Sequence, residues 1–124
     1  MKTFGYLSVA FGLVFLFGCS NAEVKAVRAM PISHIDLGKV KDGQYAGDFS
    51  YGGFTYEVAV TVAGHQMKEV TVVRNRTTKH ARMAEGVLKA ILGQQKNDVD
   101  AISGATTTSK ALLKAVEKAL EKGL

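Results

Sequence analysis

The sequence has no tryptophan, a single proline (Pro31) and a single cysteine (Cys19) among its 124 residues. One cysteine excludes an intramolecular disulfide framework. The three histidines, His34, His65 and His80, lie far apart with no cysteine or carboxylate at ligand spacing, so no zinc or haem site is read. Aromatic residues are 8% of the chain, and the basic residues are spread along it without a reading motif, which sets nucleic acid aside. No nucleophile, base and acid set stands out, so no catalytic residue is assigned. Charge of one sign is also scarce. Sixteen Lys and Arg against eleven Asp and Glu leave a net +5, a mild excess that suits an anionic ligand or a membrane surface and serves solubility. What remains is 47% hydrophobic and 22% charged, an ordinary globular composition of a length for one domain.

The sequence also lacks an apolar run of bilayer length. The uncharged run at residues 4–17 follows Lys2 and has the length of a signal-peptide core. It leads into Leu16-Phe17-Gly18-Cys19, which resembles a bacterial lipobox, where the cysteine is acylated and becomes the new N-terminus. An exported chain with one unpaired thiol calls for an explanation, and lipid attachment at Cys19 provides it. The expected organisation is a lipoprotein signal peptide at 1–18, a tether at 19–40 and one domain at 41–124. The tether stretch has mixed polarity, holds Pro31 and shows no sustained period. The domain is expected outside the cytoplasm, anchored to a membrane rather than spanning it.

The body of the domain opens at Lys41-Asp42-Gly43. Tyr45, Gly47, Phe49 and Tyr51 then fall on one side of an alternating run, and Gly52-Gly53 interrupts it. Tyr56, Val58, Val60 and Val62 alternate with less apolar residues, Ala63-Gly64-His65-Gln66 offers a hairpin connection, and Val70 and Val72 share a face of a third run. At 79–92 the period becomes helical, with Met83, Val87 and Ile91 at i+4 and Gly93 placed to stop the helix. A second amphipathic helix is expected at 110–122. Leu112, Leu113, Val116, Ala119 and Leu120 form its apolar stripe, while Lys110, Lys114, Glu117, Lys118 and Glu121 form its wet face. The fold class is α+β, a three-stranded antiparallel meander with two amphipathic helices packed on it.

Between the helices, residues 103–109 are small or hydroxylated and lie directly before the second helix. Such a segment suits an anion, since free N–H groups and the positive end of the helix dipole face the connection and Gly104 admits close approach. On local physics alone the favoured reading is that Thr108 or Ser109 is an N-cap and nothing more, but capping needs one hydroxyl and the chain offers four in a row, Thr106 to Ser109.

The run Asp100-Ala101-Ile102-Ser103-Gly104-Ala105-Thr106, continuing through Thr107-Thr108-Ser109, resembles the signature of the FMN-binding domain family. That family includes the flavin-bearing subunits of sodium-pumping NADH:quinone oxidoreductases. The resemblance extends over about 41–120 and takes in the opening Asp42-Gly43-Gln44-Tyr45 and the pair Gly52-Gly53. It implies FMN joined through its phosphate to the threonine after the alanine, here Thr106, by a separate flavin transferase that uses FAD. It further implies that Asp100 begins the transferase recognition sequence and that Ser103, Gly104, Ala105 and Thr107 complete the cofactor-binding segment. Where larger relatives carry a glutamate-threonine pair after the third strand, this chain has Thr77-Thr78, among Arg74, Arg76, Lys79, His80 and Arg82. The function so implied is electron transfer at the cell envelope, with the transferase, membrane redox proteins and the membrane itself as partners. Two other readings stand beside it: a module that holds FMN non-covalently or holds no flavin, and a small reductase.

Overall fold

A computed structural model describes residues 21–124. The three alternating runs become strands β1 (Gly43–Tyr51), β2 (Phe54–Ala63) and β3 (Gln66–Arg74), paired antiparallel in the order β1-β2-β3. Both hairpins are two-residue turns with positive φ at both central positions, Gly52-Gly53 and Gly64-His65, the geometry that matches the strand twist. Tyr56, Val58, Val60 and Val62 are all buried, with Met67 and Val70 beside them on β3. The α+β class and the meander expected from the sequence are therefore present.

Helix α4 (Thr106–Glu121) lies across β1 and β2 on the inner face of the sheet. Its approach is set by small residues. Gly47 of β1 sits so close to α4 that a Cβ there would run into the Ala115 carbonyl and the Ala119 backbone. Leu112, Leu113, Val116 and Leu120 fill the space around this contact and are buried. Each such side chain contributes about 1.5–3 kcal/mol of burial energy.

Five expectations need correction. The helix expected over 79–92 is two helices, α2 (Lys79–Ala84) and α3 (Gly86–Gln94), so three helices rather than two follow the sheet. Gly86 admits the Ile102 side chain, which a Cβ would meet at 3.3 Å, and the chain bends there. The bend turns Met83 outward, 42% exposed, while Val87 and Ile91 stay buried. The stop is not Gly93 but Gln95, which is left-handed at φ 53°. Its side-chain amide accepts the Met67 N–H at 2.8 Å and donates to the Met67 and Leu92 carbonyls at 2.9 and 3.0 Å. Those bonds offset the strain of a non-glycine residue there.

The second helix begins four residues earlier than expected, so Thr108 and Ser109 lie inside its first turn and neither is its N-cap. Glu117, expected on the wet face, is buried. It accepts the Ser33 N–H at 2.7 Å and pairs with Lys114 at 3.0 Å through both carboxylate oxygens.

The last correction concerns the tether. Residues 21–29 are helical (α1), and the irregular segment after them, which ends in a 3-10 turn at Leu37–Lys39, is pinned to the domain. The buried Asn97 amide accepts the Ile35 N–H at 2.8 Å and donates to the Ser33 carbonyl at 2.6 Å. Ile35 and Val40 are buried, and the Lys41 N–H reaches the Gly123 carbonyl. This stretch buries its apolar residues singly and satisfies its backbone through side chains, so it carries no period to read. Cys19 and the stretch expected to be a signal peptide lie outside the described residues. Among the described residues no helix is long and apolar enough to cross a membrane.

Candidate functional site

The connection from Gln95 to Ala105 crosses from the end of α3 to the start of α4, and its shape is fixed from both sides. Val99 is buried and Ile102 packs against Gly86. The buried Ser109 hydroxyl accepts the Ile102 N–H at 3.1 Å, which ties the loop back to the helix it leads into. The Ala105 N–H closes a turn on the Ile102 carbonyl at 3.0 Å, and Gly104 in that turn has φ +84°, a left-handed conformation that glycine adopts without strain.

Helix α4 then starts without a cap. Ala105 is the N-cap residue, it carries no side-chain oxygen, and among the described residues no side chain bonds the first-turn N–H groups. Ser109 faces back to Ile102, and Thr108 is buried. Thr106 and Thr107 are half-buried and stand at the helix entrance. The N–H groups of a first turn have no partner within their helix, so this end of α4 presents donors and a positive dipole to whatever lies in front of it.

In front of it is a cleft of about 240 Å³ lined by Gly104 to Thr108, by Arg28 of α1 and by His80 of α2. Among the described residues, no carboxylate lines it. Hydroxyls, backbone donors and two basic side chains form a donor set suited to a phosphate ester. Of the sequence-predicted residues, the structure brings Gly104, Ala105, Thr106 and Thr107 together at this cleft. Ser103 is exposed on the adjoining turn, and Asp100 is exposed further up the connection, outside the cleft lining.

Beside the cleft, the β1–β2 hairpin carries an aromatic stack around one arginine. Tyr51 and Tyr56 are stacked with centroids 5.4 Å apart, and Phe54 meets Tyr56 edge-on at 4.9 Å. Arg76 donates through Nε to the Tyr56 hydroxyl at 2.7 Å and lies 4.7 Å over the Phe54 ring. Burial, and next the Tyr56 hydroxyl, push the Tyr51 phenol up to about 12, against smaller lowering by the Thr108 hydroxyl and Arg76. Tyr51 is therefore a neutral phenol in the physiological range, next to the first turn of α4.

The basic residues near the third strand part company. Arg76 is committed to the aromatic stack, and Arg82 lines a separate groove with Glu85 and Lys89. Only His80 of that cluster lines the cleft. Thr78 accepts the Ala81 N–H at 3.2 Å as the cap of α2, and Thr77 lines a neighbouring cavity with Phe54 and Arg76. Sequence reasoning missed Arg28 because it lies in the stretch read as a tether. The available signal was local: residues 22–29 are Ala, Glu, Lys, Arg and Val, mostly good helix formers.

The FMN-binding domain family matches residues 51–121, which holds β2, β3, all of the connection and α4. An uncharacterized protein of Treponema pallidum (strain Nichols) is similar to this chain, 38% identical over 86 residues. That match takes in 68% of this chain and 24% of the Treponema protein, so the chain spans about a quarter of that relative. With more than half of its length matched and a phosphate-suited cleft at the motif, the chain belongs to the FMN-binding domain family, and FMN is its cofactor.

Proposed function

We propose that this protein is a lipid-anchored electron carrier that holds FMN covalently, through a phosphodiester to Thr106. One observation carries the reading: four successive hydroxyl residues stand at the start of α4, yet none caps it. Capping would consume the donors, whereas the uncapped turn faces the cleft that Arg28 and His80 line. Thr106 is half-buried at the helix entrance with its neighbours fixed, which supports it as the acceptor.

Attachment is a group transfer. The Thr106 hydroxyl oxygen bonds to the FMN-side phosphorus of FAD, the pyrophosphate P–O bond breaks, and AMP leaves. The hydroxyl proton passes to a base. A threonine hydroxyl is a weak nucleophile without a base beside it, and among the described residues the cleft lining offers no carboxylate for that role. A transferase therefore supplies the activation, and exposed Asp100 is accessible for it to grip. Bound FMN supplies one- and two-electron redox chemistry. The chain holds the phosphate in the field of α4, keeps the adjacent Tyr51 phenol protonated and fixes the loop through Ser109. Redox partners at the envelope deliver and remove the electrons. Acylation at Cys19, nine residues before Arg28, would keep the domain close to the membrane.

The test is absorbance after denaturation of protein co-expressed with a flavin transferase. The wild-type chain should keep its flavin bands after precipitation, and Thr106→Ala should lose them entirely. Loss from both would leave non-covalent FMN binding. The membrane-extracted chain should also have the intact mass of an acylated polypeptide beginning at Cys19. A free thiol there would refute the anchor.

A further inference from the structure

The matched region begins at residue 51, yet the cleft at Thr106 is completed by a residue well before it. Helix α1 is held in place by three independent contacts. Val27 is 4% exposed against the domain. Glu23 accepts the Gly52 N–H at 3.0 Å, at the tip of the β1–β2 hairpin. Lys110 of α4 donates to the Met30 carbonyl at 2.8 Å, just past the end of α1. Those contacts fix the helix on which Arg28 stands, one residue from the buried Val27, so that the arginine lines the same cleft as Thr106 and Thr107. Among the described residues, no carboxylate pairs with Arg28.

A phosphodiester keeps one negative charge throughout the physiological range, and a guanidinium keeps its positive charge over the same range. Charge-assisted hydrogen bonds between such groups are the strong ones. We infer that α1 is a working part of the flavin site: Arg28 binds the flavin phosphate at Thr106, and flavin attachment in turn locks α1 onto the domain. The inference rests on the phosphodiester at Thr106. It also gives the segment next to Cys19 a role, because the helix nearest the anchor then reports whether the cofactor is in place.

Amide hydrogen exchange of residues 21–30 tests this on the full, membrane-extracted chain. Flavin-loaded wild-type protein is compared with Thr106→Ala, and loading is confirmed by intact mass. Loaded protein should exchange about threefold to tenfold more slowly in α1 than Thr106→Ala. Arg28→Gln, equally loaded, should exchange at the Thr106→Ala rate, and Arg28→Lys should keep part of the protection. Arg28→Gln in the Thr106→Ala background should match Thr106→Ala alone, which shows that the substitution does not itself unseat the helix. Equal exchange in loaded wild type and Thr106→Ala overturns the inference while leaving covalent flavin intact. Full protection in loaded Arg28→Gln overturns the role of the arginine. A wild-type chain with no FMN mass defeats the flavin reading instead.

Discussion

Helices α2 and α4 both begin among threonines, and they begin in opposite ways. At α2, Thr78 turns its hydroxyl back to the Ala81 N–H, and the helix end is closed. At α4 the residues with hydroxyls come one position too late to cap, and alanine holds the cap position. The same residue type is structural at one end and available for chemistry at the other. What separates them is position relative to the helix start, which the Ile102–Ala105 turn and its tie to Ser109 set.

The contrast breaks most completely at Thr106. Its replacement by Ala should abolish covalent flavin, whereas Thr78→Ala should leave flavin content unchanged, both read by fluorescence in a denaturing gel. A smaller effect is expected at Ser109, where Ala leaves the Ile102 N–H without its acceptor. The cost should be about 1–3 kcal/mol in denaturant unfolding, with partial loss of flavin loading as the loop loosens. Thr78→Ala should cost about 1 kcal/mol of stability through loss of an ordinary cap.

The smallest effect belongs to the far end of the connection, where His34 Nδ1 and Asp98 lie 3.0 Å apart. The hydrogen bond from His34 holds the Asp98 carboxyl below its ordinary value. Its contribution is thus present above the usual carboxylate pKa of about 4 and is lost as pH falls through the lower folded value. The pair is solvent-exposed, so Asp98→Asn should cost at most about 0.5 kcal/mol at pH 7. The variant and wild type should converge in urea midpoints once pH has fallen through the lowered folded value and the carboxyl is protonated.

How much of this was legible depended on how far a residue's partner lies from it in the chain. The strands were readable because Tyr56 to Val62 repeat at two, and the stripe of α4 because Leu112 to Leu120 repeat as a helix face. The cleft residues Gly104 to Thr107 were readable from a contiguous motif. The bend at Glu85–Gly86 was not, because its cause is Ile102, sixteen residues away from Gly86. Glu117 looked like a surface residue because the segment that covers it, at Ser33, precedes it by 84 positions. Arg28 was invisible for the same reason. Its helix buries little more than Val27, and its meaning comes only from the loop it faces.

The central claim is that the open helix end, not merely the domain, receives the cofactor. Tandem mass spectrometry of the peptide spanning residues 98–110, from chain co-expressed with a flavin transferase, tests it most directly. The account predicts a single addition of FMN less water, with fragment ions placing it on Thr106. An addition on Thr107 or Thr108, or none on a folded and exported chain, would contradict it.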